Sequence, residues 1–277
     1  MTISINTNIA ALLATRGVQS SSNALSQSIQ RLSSGLKINS AKDDAGGLAV
    51  ATRMMTQIRS LNVVKQNANE AMSLTDLAFS ALEETTNAIQ SIRDIAVEAR
   101  SDSRSDSDRE ALQLTVAELL LEIQRIATDT EYNNLTLLDG NFTNKSFQVG
   151  PDAGNVLTIT IATASLAGLA MGTNGASVNV SATTSASHTI GIADSALDVV
   201  NTIRAQLSGI QSRFESIYNT STATADAYTS ARSGIMDADV AMETTYLAQN
   251  SIIQQAGISV LAQANLQPQM LLKLLER

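Results

Sequence analysis

Cysteine and tryptophan are both missing from this chain of 277 residues, and aromatic residues make up only 3% of it. Without cysteine there is no disulfide scaffold, no cysteine-ligated zinc site and no thiol nucleophile. A globular enzyme of this length usually builds its core around large aromatic side chains. The 44% apolar fraction is instead mostly Ala, Leu, Ile and Val, which favours long helices that pack along narrow seams.

Positive charge is scarce as well, since 18 Lys and Arg stand against 26 Asp and Glu, a formal net charge of −8. Phosphate binding requires clustered Lys and Arg, so we expect no nucleic-acid partner. The opening residues MTISINTNIA have neither a cationic start nor a long apolar run, which predicts no cleaved signal peptide. No stretch approaches the roughly 20 apolar residues of a membrane span, so we expect no membrane partner either.

Residues that could carry catalysis are few. The single histidine, His188, lies in the polar run TTSASHTIGIA and is expected on an exposed loop. Asp43 and Asp44 are adjacent and therefore point in different directions, so helix capping explains them better than a cooperating acid and base. No nucleophile elbow, phosphate-binding glycine loop or H-E-x-x-H motif occurs. We predict no catalytic, cofactor-binding or metal-binding residues, and no enzyme activity.

The middle of the chain differs from its two ends. Half of the 14 glycines lie between residues 140 and 191, which leaves two long arms free to be helical. The middle instead alternates apolar and polar residues over short runs. Val156, Ile159 and Ile161 lie in NVLTITIA, and Val178 and Val180 lie in ASVNVSA. This alternation predicts exposed strands of a small sheet or hairpin.

The arms carry apolar residues at alternating steps of three and four, which is typical of a coiled-coil seam. The series are Val18, Leu25 and Leu32, with Ile29 and Leu36 offset by four; Ala78, Leu82, Thr85, Ile89, Ile92 and Ala96; Leu112, Val116, Leu119, Ile123 and Ile126; and Val200, Ile203, Leu207, Ile210, Phe214 and Ile217. A narrow stripe stabilises a helix only where a partner covers it. The middle three segments can cover one another as antiparallel helices. The outermost arms, residues 1–36 and about 238–277, have mainly each other and neighbouring molecules, so we predict a rod whose ends depend on assembly.

The stretch SDSRSDSDREAL, residues 101–112, separates two of these helices. Ser107, followed three residues later by Glu110, predicts a capping box at the start of the second helix. The Asp-rich spacing invites comparison with a calcium loop, but the glycine and the terminal Glu of an EF-hand are missing at the required offsets. A solvated turn between two helices is the better interpretation.

Several motifs in both arms carry a family resemblance. INTNIAALLA, LSSGLKINSAKDDAGGLAVATRM, SIRDIAVEARSDSRSDSDREALQ and EYNNLTLLDG resemble the N-terminal half of bacterial flagellins. LSGIQSRFES, TSARSGIMDADVAMET and IIQQAGISVLAQANLQPQMLLKLLER resemble the C-terminal half. The motifs stand in the order and spacing of the family and leave only about residues 141–190 unmatched.

The resemblance implies a structural subunit that polymerises head to tail into the tubular bacterial flagellar filament used for swimming. It implies a mainly α fold, a long helical rod with a two-helix coiled coil called D0, a helical bundle called D1 and a β-hairpin region at about residues 140–185. The chain is too short for the outer domains that larger flagellins insert into D1. An extracellular location, reached by flagellar type III export from an uncleaved N-terminal segment, is implied as well.

By resemblance the chain divides into residues 1–38, the N-terminal D0 helix; 39–47, a connector; 48–229, D1; 230–238, the returning connector; and 239–277, the C-terminal D0 helix. The expected hinge residues of the connector are Asn39, Asp43, Asp44, Gly46 and Gly47. A curved filament requires connectors that bend differently in different subunits, and glycine supplies backbone freedom. The alternative, that the glycine pair simply ends one helix and starts the next, stays open.

The resemblance also predicts where assembly takes place. On the first arm Val18, Leu25, Ile29, Leu32 and Leu36 are expected to meet the C-terminal helix through Ile253, Val260, Leu261, Leu271 and Leu274. Head-to-tail contacts between identical chains that do not close into a ring produce an open helical polymer. Further implied partners are the junction and cap proteins of the flagellum and a cytoplasmic export chaperone that binds QPQMLLKLLER.

A conditional partner is the vertebrate Toll-like receptor 5, which in many flagellins contacts the segment that matches Gln90–Glu98. Ser91 stands where that segment has an Arg, Ile95 stands where it has a Leu, and Glu122 matches a third contact. Because Ser91 replaces a long cation that could pair across an interface, we expect weak recognition.

Two other functions are compatible with the sequence. A hook–filament junction protein shares the terminal pattern and does not form a repeating polymer. An adhesin or glycan receptor displayed on the filament is a second alternative, although the middle segment offers few aromatic platforms for a sugar.

Overall fold

The computed structural model describes the backbone of residues 7–172 and 175–275, and the side chains of these residues as far as Leu266. Five α-helices and four short strands lie in these ranges. They are α1 (Ile9–Ser34), α2 (Ala45–Ala99), α3 (Asp106–Asp129), β1 (Glu131–Tyr132), β2 (Leu135–Thr136), β3 (Lys145–Gln148), β4 (Val156–Ile159), α4 (Thr183–Met236) and α5 (Val240–Leu275). The mainly α fold predicted from the sequence is confirmed.

The chain divides into two compact units. The first contains residues 1–56 and 227–277, and therefore α1, α5 and the connecting segments beside them. Its small apolar cluster is made by Ile38, Ala51 and Met236. Such a core is too small to hold two long helices together by itself, because each fully buried aliphatic side chain contributes only about 1.5–3 kcal/mol.

Polar side chains define the ends of the two helices in the first unit. The Asn8 side chain accepts a hydrogen bond from the backbone N–H of Ala11 at the start of α1, and Gly35 ends this helix with a positive φ of 69°. Asp239 accepts from the N–H groups of Ala241 and Met242 at the start of α5. Each cap satisfies backbone donors that the helix leaves unpaired.

The second unit, residues 57–226, holds the main core. The stripes predicted on its three helical segments lie in this core, which confirms the spacing argument. Their fully buried members include Ala78, Leu82, Ile89, Ile92 and Ala96 of α2, Val116 and Ile123 of α3, and Val200, Ile203, Leu207 and Phe214 of α4. The second unit can therefore fold on apolar burial within one chain.

A β-hairpin packs onto this core. β3 pairs antiparallel with β4, with Phe147 opposite Leu157 and Lys145 opposite Ile159. Phe147 also meets Phe214 of α4 edge to face, with ring centroids 5.6 Å apart. Leu157 and Ile159 are the buried residues of β4, whereas Val156 is exposed. The hairpin predicted from the alternation of NVLTITIA therefore forms, and the paired register decides which of its apolar residues face the core.

The predicted strand at Val178 and Val180 does not form, although both side chains are buried. Side chains from neighbouring helices satisfy this backbone instead of a strand. The Gln113 side chain accepts from the N–H of Val180, and the Thr189 hydroxyl accepts from the N–H of Asn179. The segment leads directly into α4, and His188 is exposed on that helix rather than on the predicted loop.

The turn between α2 and α3 has a capping box, two residues earlier than predicted. Ser105 accepts from the N–H of Asp108, and the Asp108 carboxylate accepts from the N–H of Ser105. The prediction of Ser107 and Glu110 is wrong. Ser105 is the cap, Asp108 makes the bond that a Glu usually makes in a capping box, and the helix therefore starts at Asp106. The hydrogen bonds that the Ser105 backbone N–H and side chain make to the Asp108 carboxylate lower its pKa below the ordinary value.

Candidate assembly surface

The connector between α1 and α2 is organised by two carboxylates. One oxygen of Asp43 accepts from the N–H groups of Asn39 and Ser40, at 3.1 and 2.9 Å, and from the Ser40 hydroxyl at 3.0 Å. The hydroxyl and backbone bonds from Ser40 lower the pKa of Asp43. Asp44 caps α2 by accepting from the N–H of Gly47 at 2.9 Å. Both residues therefore have local structural roles, as capping predicted.

The glycine pair lies in the first turn of α2, so the connector ends at Asp44 and not at Gly47 as predicted. A side chain on Gly47 would lie 2.8 Å from Cδ1 of Ile38, whereas one on Gly46 would make only an ordinary 3.4 Å contact with Asp44. Close packing therefore explains glycine at position 47. The left-handed residue at this bend is Gly35, with φ of 69°, which the sequence argument did not single out.

The returning connector is shorter than predicted, because α4 continues to Met236 and α5 begins at Val240. Leu36 and Asp237 form an antiparallel bridge. The Lys37 N–H donates to the Met236 carbonyl at 2.7 Å, and the Ala238 N–H donates to the Gly35 carbonyl at 2.9 Å. Two short extended segments thus pair at the base of α1 and α5 and hold the ends of both helices together.

From this base α1 and α5 run antiparallel, with their backbones in contact along the pair. At the far end the Asn8 side chain donates to the Ala264 carbonyl at 2.8 Å. Near the base the Arg31 guanidinium lies 3.6 Å from the Glu243 carboxylate. Such a close approach requires small residues between the helices.

The seam between these helices is correspondingly small and polar. On α1 the residues turned away from solvent recur at steps of three and four: Ala11, Ala14, Val18, Ser21, Leu25 and Ser28. On α5 they are Glu243, Leu247, Asn250, Gln254, Gly257, Leu261 and Ala264. The spacing is that of a coiled coil, but few members are large aliphatic residues. The pair therefore buries little apolar surface and is weakly stabilised within one chain.

The residues predicted for the assembly seam divide into two groups. Val18, Leu25 and Leu261 are half-buried in the α1–α5 contact, and Leu36 packs at its base beside Ile38. Ile29, Ile253 and Val260 are 51%, 45% and 53% exposed, so within one chain they lie outside the α1–α5 contact, and their part in the assembly seam stays a prediction. Leu32 is 36% exposed at the border. The side chains of Leu271 and Leu274 lie outside the described residues.

Exposed large apolar residues cover the outside of this helix pair. On α1 they are Ile9, Leu12, Leu13, Ile29 and Leu32, and on α5 they are Val240, Met242, Tyr246, Ile252, Ile253, Ile258, Val260 and Leu266. The clearest sequence signal for this surface is the absence of charged residues between Glu243 and Lys273. Large apolar side chains exposed in such numbers on two helices indicate an interaction site. We call these thirteen residues the outer apolar surface.

The residues predicted to contact a receptor lie on the second unit. Gln90 and Ser91 are exposed on α2, and the Ser91 hydroxyl donates to the backbone of its own helix at Asn87. Ile95 is half-buried against the core. Glu122 is exposed on α3, where Arg125 donates to both of its oxygens at 2.5 and 2.8 Å and lowers its pKa.

The described residues offer neither a membrane span nor a metal site. None of the described helices is long and apolar enough to cross a membrane. Among the same residues no group of three or more His, Asp or Glu side chains is placed to hold a metal ion.

Two family models match the chain over nearly all of its helical parts. The bacterial flagellin N-terminal helical region matches residues 5–143, and the bacterial flagellin C-terminal helical region matches residues 190–275. The unmatched stretch between them contains the β3–β4 hairpin and the irregular segment before α4. The matches thus include α1, α5 and both connectors.

Individual relatives agree with these matches. Flagellin FlaB1 of Treponema pallidum is 32% identical over 98% of this chain and 99% of its own length. The flagellar filament 33 kDa core protein of Treponema phagedenis is 34% identical, over the same shares. B-type flagellin of Pseudomonas aeruginosa is 46% identical, but over 60% of this chain and only 34% of its own length. The chain thus spans the Treponema proteins and about a third of the Pseudomonas protein.

A solved structure shares the fold. The crystal structure of Bacillus cereus flagellin aligns with a TM-score of 0.50 over 56% of this chain and 88% of the other, at 24% sequence identity. At this identity the likeness concerns the arrangement of the helices alone.

Proposed function

This chain belongs to the bacterial flagellin family and is a structural subunit of the extracellular flagellar filament, and we propose that it assembles by covering its outer apolar surface with neighbouring copies. In this proposal residues 1–38 and 239–277 form the inner D0 layer, residues 48–229 form D1, and the connectors between them act as the hinge. The polymer is open and helical, since each copy offers different surfaces to its successive neighbours.

One observation carries this proposal. The α1–α5 pair has a small, polar seam inside and large aliphatic residues outside, the reverse of a helix pair that is stable alone. Exposed Ile and Leu side chains on two nearly uncharged helices gain free energy only when another molecule covers them. A second copy of the chain offers the same kind of surface.

The direct test is polymerisation of the purified protein. We expect monomers, nucleated with short fragments, to grow micrometre filaments that are visible by electron microscopy. Limited proteolysis before and after growth should show α1 and α5 much better protected in the filament than in the monomer. Assembly that stops after one or a few subunits under these conditions would instead support a hook–filament junction role.

We further propose that α5 binds an export chaperone before assembly. The helix carries no charge from Thr244 to Leu272, and its exposed apolar residues need cover while the chain is in the cytoplasm. The N-terminal segment is proposed to be exported without loss of Asn8, because Asn8 both caps α1 and bonds to Ala264. Mass spectrometry of filaments that finds a chain shortened past Asn8 would refute this second proposal.

Weak recognition by Toll-like receptor 5 is proposed for the surface that contains Ser91. Its short hydroxyl is bonded to its own helix, and Glu122 is held by Arg125, so neither offers a free charge to a partner. We expect monomeric wild-type protein to be a weak agonist in a receptor reporter cell line and Ser91→Arg to be stronger. A wild-type response equal to that of a strong flagellin agonist would contradict this. Junction and cap proteins are proposed as partners at the two filament ends.

A further inference from the structure

Val18 on α1 and Gly257 on α5 fit together more closely than side chains normally allow. A Cβ atom built on Gly257 would lie 2.7 Å from Cγ2 of Val18, below the 3.0 Å that real Cβ contacts essentially never pass. Gly257 has an ordinary helical backbone rather than a positive φ. The requirement for glycine at this position is therefore one of space, since any larger residue would push the two helices apart.

The sequence of α5 offers this space at one place. Gly257 is the only glycine in the helix, and the seam positions seven residues before and after it are Asn250 and Ala264. Sliding α5 by one heptad along α1 would put a residue with a Cβ atom opposite Val18. The observed register therefore accommodates Val18, and the two neighbouring registers of the same seam do not.

Other parts of the seam discriminate weakly between registers. Ser21 and Ser28 are small buried residues of α1, and side chains this small tolerate a different neighbour after a slip. Two polar contacts, from Asn8 to Ala264 and from Arg31 to Glu243, agree with the register that Val18 and Gly257 define. Both lie near the ends of the contact, and Asn8 is at the start of α1, where a helix frays first.

We propose that Val18 and Gly257 form a size-matched key that sets the register of α1 against α5. The register decides which members of the outer apolar surface, such as Ile29 on α1 and Ile253 on α5, present a common face to the next copy. The key thereby determines the specificity of assembly, and this consequence rests on the proposed function above.

Four variants of the full chain test the key. Gly257→Ala should raise the critical concentration for polymerisation by roughly tenfold or more, because overpacking forces the helices apart. Val18→Ala in the same molecule removes the clashing methyl groups. The critical concentration of Val18→Ala/Gly257→Ala should therefore be close to that of Val18→Ala alone. Gly17→Ala is the matched control, since Gly17 lies beside Val18 with nothing within 4 Å. It should polymerise like the wild type.

A second readout follows the register without requiring filaments. The chain has no cysteine, so Thr7→Cys and Gln263→Cys, at exposed positions next to Asn8 and Ala264, can be joined by a bismaleimide. We expect crosslinking within one chain in the wild-type background, loss of it with Gly257→Ala, and recovery in the Val18→Ala/Gly257→Ala variant. A protease-resistant fragment that contains residues 57–226 should persist in every variant and shows that the second unit stays folded.

The remaining outcomes distinguish failure of the key from failure of the proposed assembly. Gly257→Ala that assembles and crosslinks like the wild type, or that is not relieved by Val18→Ala, would refute it. A wild-type chain that crosslinks but does not polymerise would refute the proposed assembly and leave the key supported. A wild-type background that never crosslinks would refute the key, because the observed register would then not form.

Discussion

Arg31 of α1 and Glu243 of α5 form an ion pair at 3.6 Å, in which the carboxylate side chain is only 8% exposed. Nε of Arg31 is buried without a hydrogen-bond partner among the described residues. The pair joins the two helices beside the bridge of Leu36 and Asp237. A buried charge is costly when its partner is removed, although a well-packed apolar pair can replace both.

This relationship predicts a non-additive effect at the base of the helix pair. Arg31→Met should raise the critical concentration for polymerisation by about tenfold, because it leaves the buried Glu243 carboxylate unpaired. Arg31→Met/Glu243→Leu should assemble better than Arg31→Met. Sedimentation measures the critical concentration of the wild type, both single variants and the double variant, which together form a double-mutant cycle. Additive effects of the two substitutions would show that Arg31 and Glu243 are not coupled.

A charge on the outer apolar surface should abolish polymerisation. Val260→Asp places a carboxylate where neighbouring copies are proposed to pack, and Leu32→Asp does the same on α1. Neither residue belongs to the core of the second unit, so its thermal unfolding should not change. Gln255→Asp, at an exposed polar position of α5, is the control and should polymerise. Filaments of normal length from Val260→Asp would contradict the assignment of this surface.

Replacing each of the two adjacent glycines of α2 by Ala should change the thermal stability in opposite directions. Gly47→Ala should disturb the first turn of α2, since its methyl group would lie against Ile38 and Asp44. Gly46→Ala has room and should stabilise the helix by about 0.5–1 kcal/mol. Thermal unfolding of both variants, with filament curvature by electron microscopy, measures the difference. Filaments that lose their curvature with Gly46→Ala would indicate that backbone freedom at this position matters after all.

Arg109 should be a major determinant of stability in the second unit. It is 7% exposed, and its guanidinium donates to the backbone carbonyls of Ala99 and Ser101 and to the Asp106 carboxylate. Arg109→Met leaves two carbonyls without this donor and should lower the free energy of unfolding by about 3 kcal/mol. Urea unfolding measures this. Arg93→Met removes an exposed pair with Asp194 and should have a much smaller effect.

The capping box of α3 should give a defined dependence on pH. The pKa of Asp108 is lowered in the folded chain by its bonds with Ser105, so its contribution is present above the ordinary Asp value near 3.8 and is lost as the pH falls through the lowered value. Asp108→Asn should therefore be less stable than wild type at pH 6. The difference in urea midpoint should shrink below about pH 4, and a constant difference at pH 2 and pH 6 would contradict the cap.

The second unit is where sequence patterns were most reliable. The series through Leu82, Ile123 and Leu207 each lie in the core as the spacing predicted, because a helix that packs inside its own chain must bury its apolar stripe. Strand faces were less certain. Val156 and Leu157 are consecutive apolar residues of β4, and only the pairing of β3 with β4 decides which of them is buried.

The first unit shows the limit of the same reasoning. The sequence does identify the heptad spacing of Val18 and Leu25, and it shows that α5 is almost uncharged. It gives no means to know that Ser21 and Gly257 line the inner seam while Ile29 and Val260 face outward. A periodic stripe predicts that some partner covers it, but not whether that partner is in the same chain.

The amino-acid sequence by itself determined the helical class, the family resemblance and the position of the connectors to within a few residues. Helical periodicity and glycine placement are local properties, so they can be read along the chain. The tertiary structure decided the register of α1 against α5 and the division between inner seam and outer surface. These depend on how closely two distant backbones approach, which here is set by the space at Gly257.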